Sequence, residues 1–434
     1  MLGSLRRQWQ RYAPHRHVAS PPPSDLPAPR SLVRLEDSRP ILRRILTETI
    51  CDFWYPATID TEHGGYGCNV DHAGRWSGAT SRYLIGQART LWFFSHLLRS
   101  GHGDTRHRDA ARHGFAFLRD RMWDSDHGGF YWQVDAADGT VAKPDKQICG
   151  QSFALYALAE YALATGDDAA RALAGDLFGL IDAEAHDPEQ PGYFEMLTQD
   201  WSRVPDWNYM DRNPRHKTIN THLHLMEAFS TFYALTGDDL VRARLMELIH
   251  IQRDLVFRPE YDACSDSHLR DWTPVRRRWD SSVSYGHDLE SIWLLADARE
   301  AIGEPVAPDL DTCRRIFASS LRHGFDRKRG GFYFLGPYKR PALHRQKIWW
   351  VQAESLVAAL RMHGLTGESV YADCYRETLH WIVSAQVDWR HGEWHLEVAP
   401  NGRAFGAKGG AWKTPYHNGR AMIRCLQLLD GAGP

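Results

Sequence analysis

The chain has 434 residues, of which 43% are hydrophobic and 24% are charged, and this composition predicts a globular protein with a substantial core. Its formal net charge is −2, so it has no basic excess that would attract the phosphates of a nucleic acid or an anionic membrane surface. The sequence contains no run of about 18 apolar residues, which is the length that spans a membrane. The 7 cysteines include no C-x-x-C pair. We therefore expect a cytoplasmic protein with free thiols.

The first 35 residues differ in composition from the rest of the chain. The stretch from Pro14 to Pro29 is rich in proline, serine and histidine, which cannot bury enough surface to offset the entropy lost on folding. No apolar run in this part is long enough for a signal peptide. We therefore predict a disordered leader over residues 1–35 and a single catalytic domain over residues 36–434.

A turn of glycine and an aromatic residue recurs along the chain at intervals of roughly 60 to 70 residues, with one gap of double length. Its copies are Asp60 to Tyr66, Asp126-His127-Gly128-Gly129-Phe130, Pro191-Gly192-Tyr193, Arg329-Gly330-Gly331-Phe332 and His391-Gly392-Glu393-Trp394. A degenerate copy between Tyr261 and Trp272 would fill the gap. The spacing therefore indicates about six repeats.

Segments with helical periodicity lie between these turns, and the segments that follow the turns are the more apolar and aromatic ones. These apolar segments are 81–99, 147–164, 218–235, 285–301, 347–362 and 412–429. Amphipathic segments such as 110–122 and 310–321 precede the turns. Two helices per repeat predict an all-α fold, an (α/α)6 barrel of about twelve helices with short β-hairpins in the rim loops. A helical solenoid or two unrelated helical domains would produce a similar spacing.

Several of the predicted inner helices carry polar groups that an apolar core would not favour. They are Arg89, His222 with His224, His287 with Glu290, Trp350 with Glu354, and His417. His287 and Glu290 are three residues apart and Trp350 and Glu354 are four apart, so each of these pairs lies on one helix face. His224 and Glu227 repeat the spacing of three residues. A carboxylate beside an imidazole orients the ring and shifts its pKa, as general acid/base chemistry requires. These groups predict an active site at one end of the barrel.

Other interpretations of the same residues remain open at this point. Each histidine taken alone could be a hydrogen-bonded core residue, and each tryptophan could serve packing. His222 with His224, or His287 with Glu290, has a spacing that could ligate a metal, but the chain has no H-E-x-x-H motif and no cysteine cluster. It also has no phosphate-binding glycine motif and no G-x-S-x-G motif. We expect neither a metal nor a cofactor.

At these residues the sequence resembles the cellobiose 2-epimerases of the N-acylglucosamine 2-epimerase superfamily, from about Ile41 to the end of the chain. The matching blocks are Ala88-Arg89-Thr90-Leu91-Trp92-Phe93-Phe94-Ser95, Asn220-Thr221-His222-Leu223-His224-Leu225, Ser284-Tyr285-Gly286-His287-Asp288-Leu289-Glu290, Trp349-Trp350-Val351-Gln352-Ala353-Glu354 and Trp412-Lys413-Thr414-Pro415-Tyr416-His417-Asn418. The region from Asp206 to Arg215, which is expected to shape the substrate mouth, matches only loosely.

The resemblance implies reversible inversion at C2 of a reducing-end glucose or mannose residue, without a metal or nucleotide. It implies that His287 and His417 are the acid/base pair, that His224 assists ring opening, and that Arg89 holds the enolate oxygen. Glu290 and Glu354 would orient histidines and hydroxyls, Trp350 would contact the sugar, and Trp412 would stack on the second ring of a disaccharide such as cellobiose or lactose. The predicted substrate-binding set is completed by Asn220, His222 and Trp293.

Rival functions share part of this pattern. A mannose 2-epimerase, an N-acylglucosamine 2-epimerase or an aldose-ketose isomerase would use the same histidines on a monosaccharide. An inverting glycoside hydrolase would use the same barrel with two opposed carboxylates, and a non-catalytic binding protein would need none of these groups. We expect the protein to bind a small-molecule sugar and neither a nucleic acid nor a membrane. We also expect it to be a monomer or a homodimer.

Overall fold

The computed structural model describes residues 20–204, 215–275 and 282–431. In this part of the chain, twelve helical segments alternate between the outside and the inside of a ring. The inner helices are α2 (Leu84–Arg99), α4 (Ile148–Thr165), α6 (Ile219–Thr236), α8 (Tyr285–Ala301), α10 (Trp349–Thr366) and α12 (Tyr416–Leu429). The outer helices are α1 (Arg39–Arg44), α3 (Thr105–Phe117), α5 (Asp168–Leu180), α7 (Asp239–His250), α9 (Leu310–His323) and α11 (Ser369–Trp381).

The outer helices other than α9 widen into a π-helical turn at their carboxyl ends. These turns are Ile45–Cys51, Leu118–Met122, Ile181–Ala185, Ile251–Val256 and Ile382–Gln386, and the first continues into Asp52–Trp54. Short 3-10 helices are Pro29–Ser31, Leu35–Ser38 and Ala307–Asp309. Each π-helical turn leads into the loop at the rim of the barrel.

The ring of inner helices is closed. Each inner helix packs against the next one along the chain, and α12 packs against α2. The outer helix that follows an inner helix packs on its outside, and α1 packs against α12. The predicted (α/α)6 barrel is therefore confirmed, and the solenoid is wrong because a solenoid has two open ends.

Short antiparallel strands form the rim, as predicted. They are β1 (Ser81–Tyr83), β2 (Gln133–Asp135), β3 (Val141–Lys143), β4 (Lys146–Gln147), β5 (Met196–Leu197), β6 (Lys217–Thr218), β7 (Phe257–Arg258), β8 (Ala263–Cys264), β9 (Ser267–His268), β10 (Ser282–Ser284), β11 (Leu335–Pro337), β12 (Lys347–Ile348), β13 (Glu397–Val398) and β14 (Ala404–Phe405). Two of the sheets have three strands, β1-β2-β3 and β12-β13-β14. The remaining pairs are β4 with β5, β6 with β9, β7 with β8, and β10 with β11. Several strands run directly into inner helices, so the rim sets where those helices begin.

An aspartate and a buried cation join each of five rim turns to the following inner helix. In the second copy, the Asp124 carboxylate accepts hydrogen bonds from the backbone N–H groups of Asp126 and His127, and it accepts a third bond of 2.7 Å from Lys146 Nζ, two residues before α4. The equivalent pairs are Asp60 with Arg82, Asp187 with Lys217, Asp326 with Lys347, and Asp388 with Lys408. These ion pairs fix the amino-terminal ends of the inner helices relative to the rim.

Part of the predicted leader packs against the barrel. Leu32 and Leu35 are buried, and Arg30 forms an ion pair of 2.7 Å with Glu377 of α11. The part of the chain that packs against the barrel therefore begins before residue 36, which was the predicted start of the domain. The reason is that the two leucines of this segment can bury apolar surface. Residues 1–19 lie outside the described residues.

The described helices include none that is long and apolar enough to cross a membrane. All 7 cysteines lie in the described ranges, and each is a buried free thiol.

We expect Lys146→Met to lower the free energy of unfolding by about 3–5 kcal/mol, because it leaves the fully buried Asp124 without its counter-charge. Urea unfolding of the purified variant measures the change. The matched control is Arg112→Met, which breaks an exposed ion pair with Asp109 and should cost less than about 1 kcal/mol. Equal effects of the two substitutions would contradict a structural role for the rim ion pairs.

Candidate active site

Two histidines lie at the amino-terminal ends of two inner helices that flank a third. His287 is the third residue of α8, His417 is the second residue of α12, and Trp350 is the second residue of α10, which lies between them. The indole of Trp350 lies 5.1 Å from the imidazole of His287 and 5.7 Å from that of His417, measured between ring centroids. The two histidines that the sequence predicts to be the acid/base pair thus both pack beside one half-buried tryptophan.

His417 is paired with a buried carboxylate. Its Nδ1 lies 2.6 Å from Oε1 of Glu354. Burial, together with the positive charges of Arg89 and Arg420, lowers the pKa of His417 well below its usual value, while burial raises the pKa of Glu354 against the opposing effect of Arg420. In the neutral-histidine form, Nδ1–H donates to Glu354 and Nε2 keeps a lone pair that can accept a proton.

Arg420 holds three buried carboxylates one helical turn below the histidines. Its Nη2 donates to Glu290 at 2.7 Å and to Glu354 at 2.8 Å, and its Nη1 contacts Glu227 and the hydroxyl of Tyr416. Burial alone would raise the pKa of Glu227, but the charge of Arg420 brings it down to about 2. The guanidinium therefore compensates for charges that would otherwise be too costly to bury.

Sequence reasoning missed Arg420, Glu227 as a partner of Arg420, and Tyr416. A signal was present, because Arg420 follows His417 by three residues on an inner helix and so lies on the same face. The same arginine and Glu227 also line a cavity of about 760 Å³ among the carboxyl-terminal halves of the inner helices. The Arg420 cluster therefore forms a layer between the histidines and this cavity.

Arg89 is a buried cation held over aromatic faces. Its guanidinium lies 4.1 Å from the ring of Phe153 and 4.9 Å from the ring of Tyr416, and its Nη1 donates to the carbonyl of Trp412 at 3.0 Å. Burial lowers the pKa of Arg89, although a guanidinium stays protonated at any physiological pH. A fixed positive group of this kind stabilises an oxyanion that develops beside it.

His224 lies in the same layer as Arg420. Its Nδ1 is 3.2 Å from Oε2 of Glu227, and its ring packs 4.4 Å from Phe153. Burial is the largest influence and lowers the pKa of His224, although Glu227 acts in the opposite direction. A neutral imidazole at this place can exchange a proton with a nearby hydroxyl.

His222 makes contacts that differ from those of the other candidate histidines. Its Nε2 accepts the N–H of Tyr193 at 2.9 Å, and its Nδ1–H donates to the carbonyl of Thr218 at 2.8 Å, so both ring nitrogens are bonded to the backbone. Gln87, Gln151 and Gln352 are the fourth residues of three other inner helices. Each of them accepts the N–H of the equivalent aromatic residue in its own rim turn. These contacts assign His222 to the rim turn and leave neither ring nitrogen to form a further hydrogen bond, in contrast to the predicted role in substrate binding.

The other predicted substrate residues lie at different depths. Trp412 is half-buried and lies 5.9 Å from the ring of Trp132 at the rim. Asn220 is buried and accepts a hydrogen bond from Cys149. Trp293 is deeper, where its Nε1 donates to Glu354 at 3.1 Å, so the structure gives it a supporting contact. The loop 206–215 lies outside the described residues, except for its last residue.

In the described part of the chain, Glu290, Glu354 and His417 are the only group of three or more potential metal ligands whose ligand atoms lie within 4.8 Å of one another. Arg420 donates hydrogen bonds to both carboxylates, and Nδ1 of His417 is bonded to Glu354. The position of a cation between these carboxylates is therefore taken by the guanidinium.

Comparisons with known proteins show which proteins this chain resembles. Residues 64–421 match the family model of N-acylglucosamine 2-epimerase (GlcNAc 2-epimerase). Cellobiose 2-epimerase of Bacteroides fragilis is 29% identical over 400 residues, covering 89% of this chain and 97% of the relative. The structure of cellobiose 2-epimerase from Spirochaeta thermophila has a TM-score of 0.82 and 30% identity, covering 94% and 99% of the two chains. D-mannose isomerase of Marinomonas mediterranea is 23% identical, covering 91% and 98%.

We expect His222→Gln to keep the free energy of unfolding within about 1 kcal/mol of the parental value, because glutamine makes the same bond in three other repeats, whereas His222→Ala should cost about 1–3 kcal/mol. Burial lowers the pKa of His222 from 6.5 to about 3. The unfolded chain therefore binds more protons between these pH values, and stability falls as the pH drops through that window.

The glutamine variant removes this titrating group. Urea unfolding at pH 5 and pH 7 should show that His222→Gln loses about 2 kcal/mol less stability than the parental protein on acidification. An unchanged pH dependence would contradict a neutral, backbone-bonded His222.

Proposed function

The chain belongs to the N-acylglucosamine 2-epimerase family, and we propose that it is a carbohydrate 2-epimerase that inverts C2 of a reducing-end glucose or mannose residue. The proposed substrate is a β-1,4-linked disaccharide such as cellobiose or lactose. The proposal names His287 and His417 as the acid/base pair.

The observation that carries this proposal is the meeting of two buried imidazoles at Trp350. Inversion of a carbon requires removal of a proton on one face and return of a proton on the other, so it requires two proton-transfer groups. Histidine is suited to both roles because an imidazole can accept a proton at one ring nitrogen and give it up again. A single base would return the proton to the face from which it came.

The proposed reaction proceeds on the open-chain aldehyde. One histidine removes the C2 proton, the electron pair moves to form an enolate, and the other histidine, in its protonated form, delivers a proton to the opposite face of C2. Arg89 is the cation assigned to the negative oxygen, and its contact with the Trp412 carbonyl holds it in place. His224, paired with Glu227, is assigned to proton exchange during ring opening.

Hydrolysis of a glycosidic bond is less well supported. An inverting hydrolase needs one carboxylic acid and a second, opposed carboxylate that activates water. In the described part of this chain, Glu227, Glu290 and Glu354 all accept contacts from the same guanidinium of Arg420. Three carboxylates held by one cation are arranged to support neighbouring groups and not to face each other across a substrate.

The size of the substrate is proposed from the rim. Trp412 is half-buried and packs beside Trp132, so an aromatic surface is present where a second sugar ring would lie. The relatives named cellobiose 2-epimerase support this choice. A second candidate is aldose-ketose isomerisation of mannose, supported by the relative named D-mannose isomerase. We propose a cytoplasmic location and a monomer or homodimer that needs no cofactor.

Incubation with cellobiose, lactose, glucose and mannose in deuterated water, followed by NMR of the products, tests the reaction. We expect the 2-epimer of a disaccharide with deuterium at C2, formed equally well after treatment with EDTA. His287→Ala and His417→Ala should each lower the rate by about 10²- to 10⁴-fold, with circular dichroism unchanged.

His250→Ala is the control, because this histidine is exposed on an outer helix. Near-parental exchange in either active-site variant would refute the assigned pair. Fructose as the main product from mannose would select the isomerase, and free glucose from cellobiose would select hydrolysis.

We expect Trp412→Ala to raise the KM for cellobiose about tenfold and to change the KM for glucose less than about twofold, because only the disaccharide has a second ring to stack on this side chain. Initial rates with both sugars measure the two constants. Trp412→Phe retains an aromatic face and should restore most of the loss. An equal rise for both sugars would instead assign Trp412 to the reacting ring.

A further inference from the structure

His287 has a carboxylate partner outside the Arg420 cluster. Its Nδ1 lies 3.4 Å from Oδ1 of Asp266, which is within ion-pair distance and slightly longer than a well-formed hydrogen bond. Among the described residues, no group makes a hydrogen bond with this buried nitrogen. Catalytic hydrogen bonds are often long in the absence of substrate and shorten when it binds.

The backbone of Asp266 occupies a position that recurs in the barrel. Its carbonyl accepts the N–H of Ile219, the first residue of α6, at 3.0 Å. Carbonyls that make the equivalent bond to the first residue of the other inner helices belong to Trp132, Glu195, Phe334 and Leu396. The neighbouring residues also pair, because Thr218 of β6 lies opposite Ser267 of β9. The position is therefore fixed by the rim and does not depend on the side chain.

The side chain at this recurring position differs between repeats. Trp132, Phe334 and Leu396 are buried and apolar. Glu195 is buried, and its carboxylate accepts hydrogen bonds from Thr218 and Thr221 at the start of α6. Asp266 instead keeps about 40% of its side chain exposed and extends toward the next inner helix, where its carboxylate reaches His287. A partly exposed carboxylate at a position that is buried in the other four repeats, and apolar in three of them, indicates a role in the site.

The other carboxylate beside His287 is oriented differently. Asp288 follows it in α8, but Oδ1 of Asp288 accepts the N–H of Cys264 at 2.9 Å, on the outer side of the helix. Asp266 is therefore the carboxylate whose oxygen lies within reach of Nδ1 of His287.

We propose that Asp266 is the positioning residue of His287, accepting its Nδ1–H and thereby directing the lone pair of Nε2 toward C2 of the substrate. The proposal rests on the proposed epimerase function. A carboxylate on one ring nitrogen selects the tautomer that leaves the other nitrogen free as a base, and it stabilises the imidazolium formed after proton abstraction. Glu354 does the same for His417 through a bond of 2.6 Å. Each histidine of the pair thus has its own acidic partner.

The test compares Asp266→Ala, Asp266→Asn and Asp266→Glu with Asp254→Asn. Asp254 is the control because it bonds Nδ1 of an exposed histidine, His250, at 2.6 Å and is similarly exposed, at 37%. With cellobiose, we expect the alanine and asparagine variants to lower kcat about 10- to 100-fold while KM changes less than about twofold. Glutamate should restore most of the rate, and the control should match the parental enzyme.

The second readout is independent of activity. In ¹⁵N-labelled protein without sugar, long-range ¹H–¹⁵N spectra should show the proton of His287 on Nδ1, and Asp266→Ala should move it to Nε2. A parental kcat in Asp266→Ala, or an unchanged tautomer, overturns the proposal. If the parental protein exchanges no C2 proton of any sugar, the proposed function fails, and the tautomer of His287 still decides whether Asp266 positions it.

Discussion

The centre of the barrel depends on one buried ion cluster, in which Arg420 binds Glu227, Glu290 and Glu354. Three carboxylates in a helical core would repel one another and lose their hydration without this cation. Two of them in turn contact the histidines of the site, since Glu354 bonds His417 and Glu227 bonds His224. The guanidinium therefore makes it possible to bury the acids that orient the bases. The proposed proton transfer therefore depends on the compensation of these buried charges by Arg420.

The repeat explains where function could arise in this barrel. The fourth residue of several inner helices bonds a rim turn, as Gln87, Gln151 and Gln352 do. The sixth residue of α2, α4, α6, α8 and α10, and the fifth of α12, have instead diverged into Arg89, Phe153, His224, Glu290, Glu354 and Arg420. These side chains contact one another across the ring, so each repeat contributes a different chemical group to one place.

The same distinction marks what the sequence could predict. Periodic apolar segments and regularly spaced glycine turns specify a closed helical ring, because these signals are local and repeat six times. Polar residues on apolar helices identified Arg89, His224 and His417 by their unusual surroundings. The role of His222 could not be predicted, because a histidine that accepts a backbone N–H and one that faces a sugar look alike in a sequence. Asp266 was missed because it lies in the rim and not on a helix. Its position in the sequence therefore does not show that its carboxylate reaches His287 of α8.

A reversible epimerisation imposes a symmetry on its two bases, since each must act as base in one direction and as acid in the other. In the proposed mechanism, the two histidines have acidic partners of unequal burial. Glu354 is fully buried and is held by Arg420, whereas Asp266 is partly exposed at the rim. A buried partner keeps His417 in one orientation throughout the cycle. A rim partner leaves His287 responsive to what occupies the mouth, because a bound sugar would exclude water from Asp266 and strengthen its attraction to the imidazole. Substrate binding would then strengthen the contact between Asp266 and His287, as burial already strengthens the contact between Glu354 and His417.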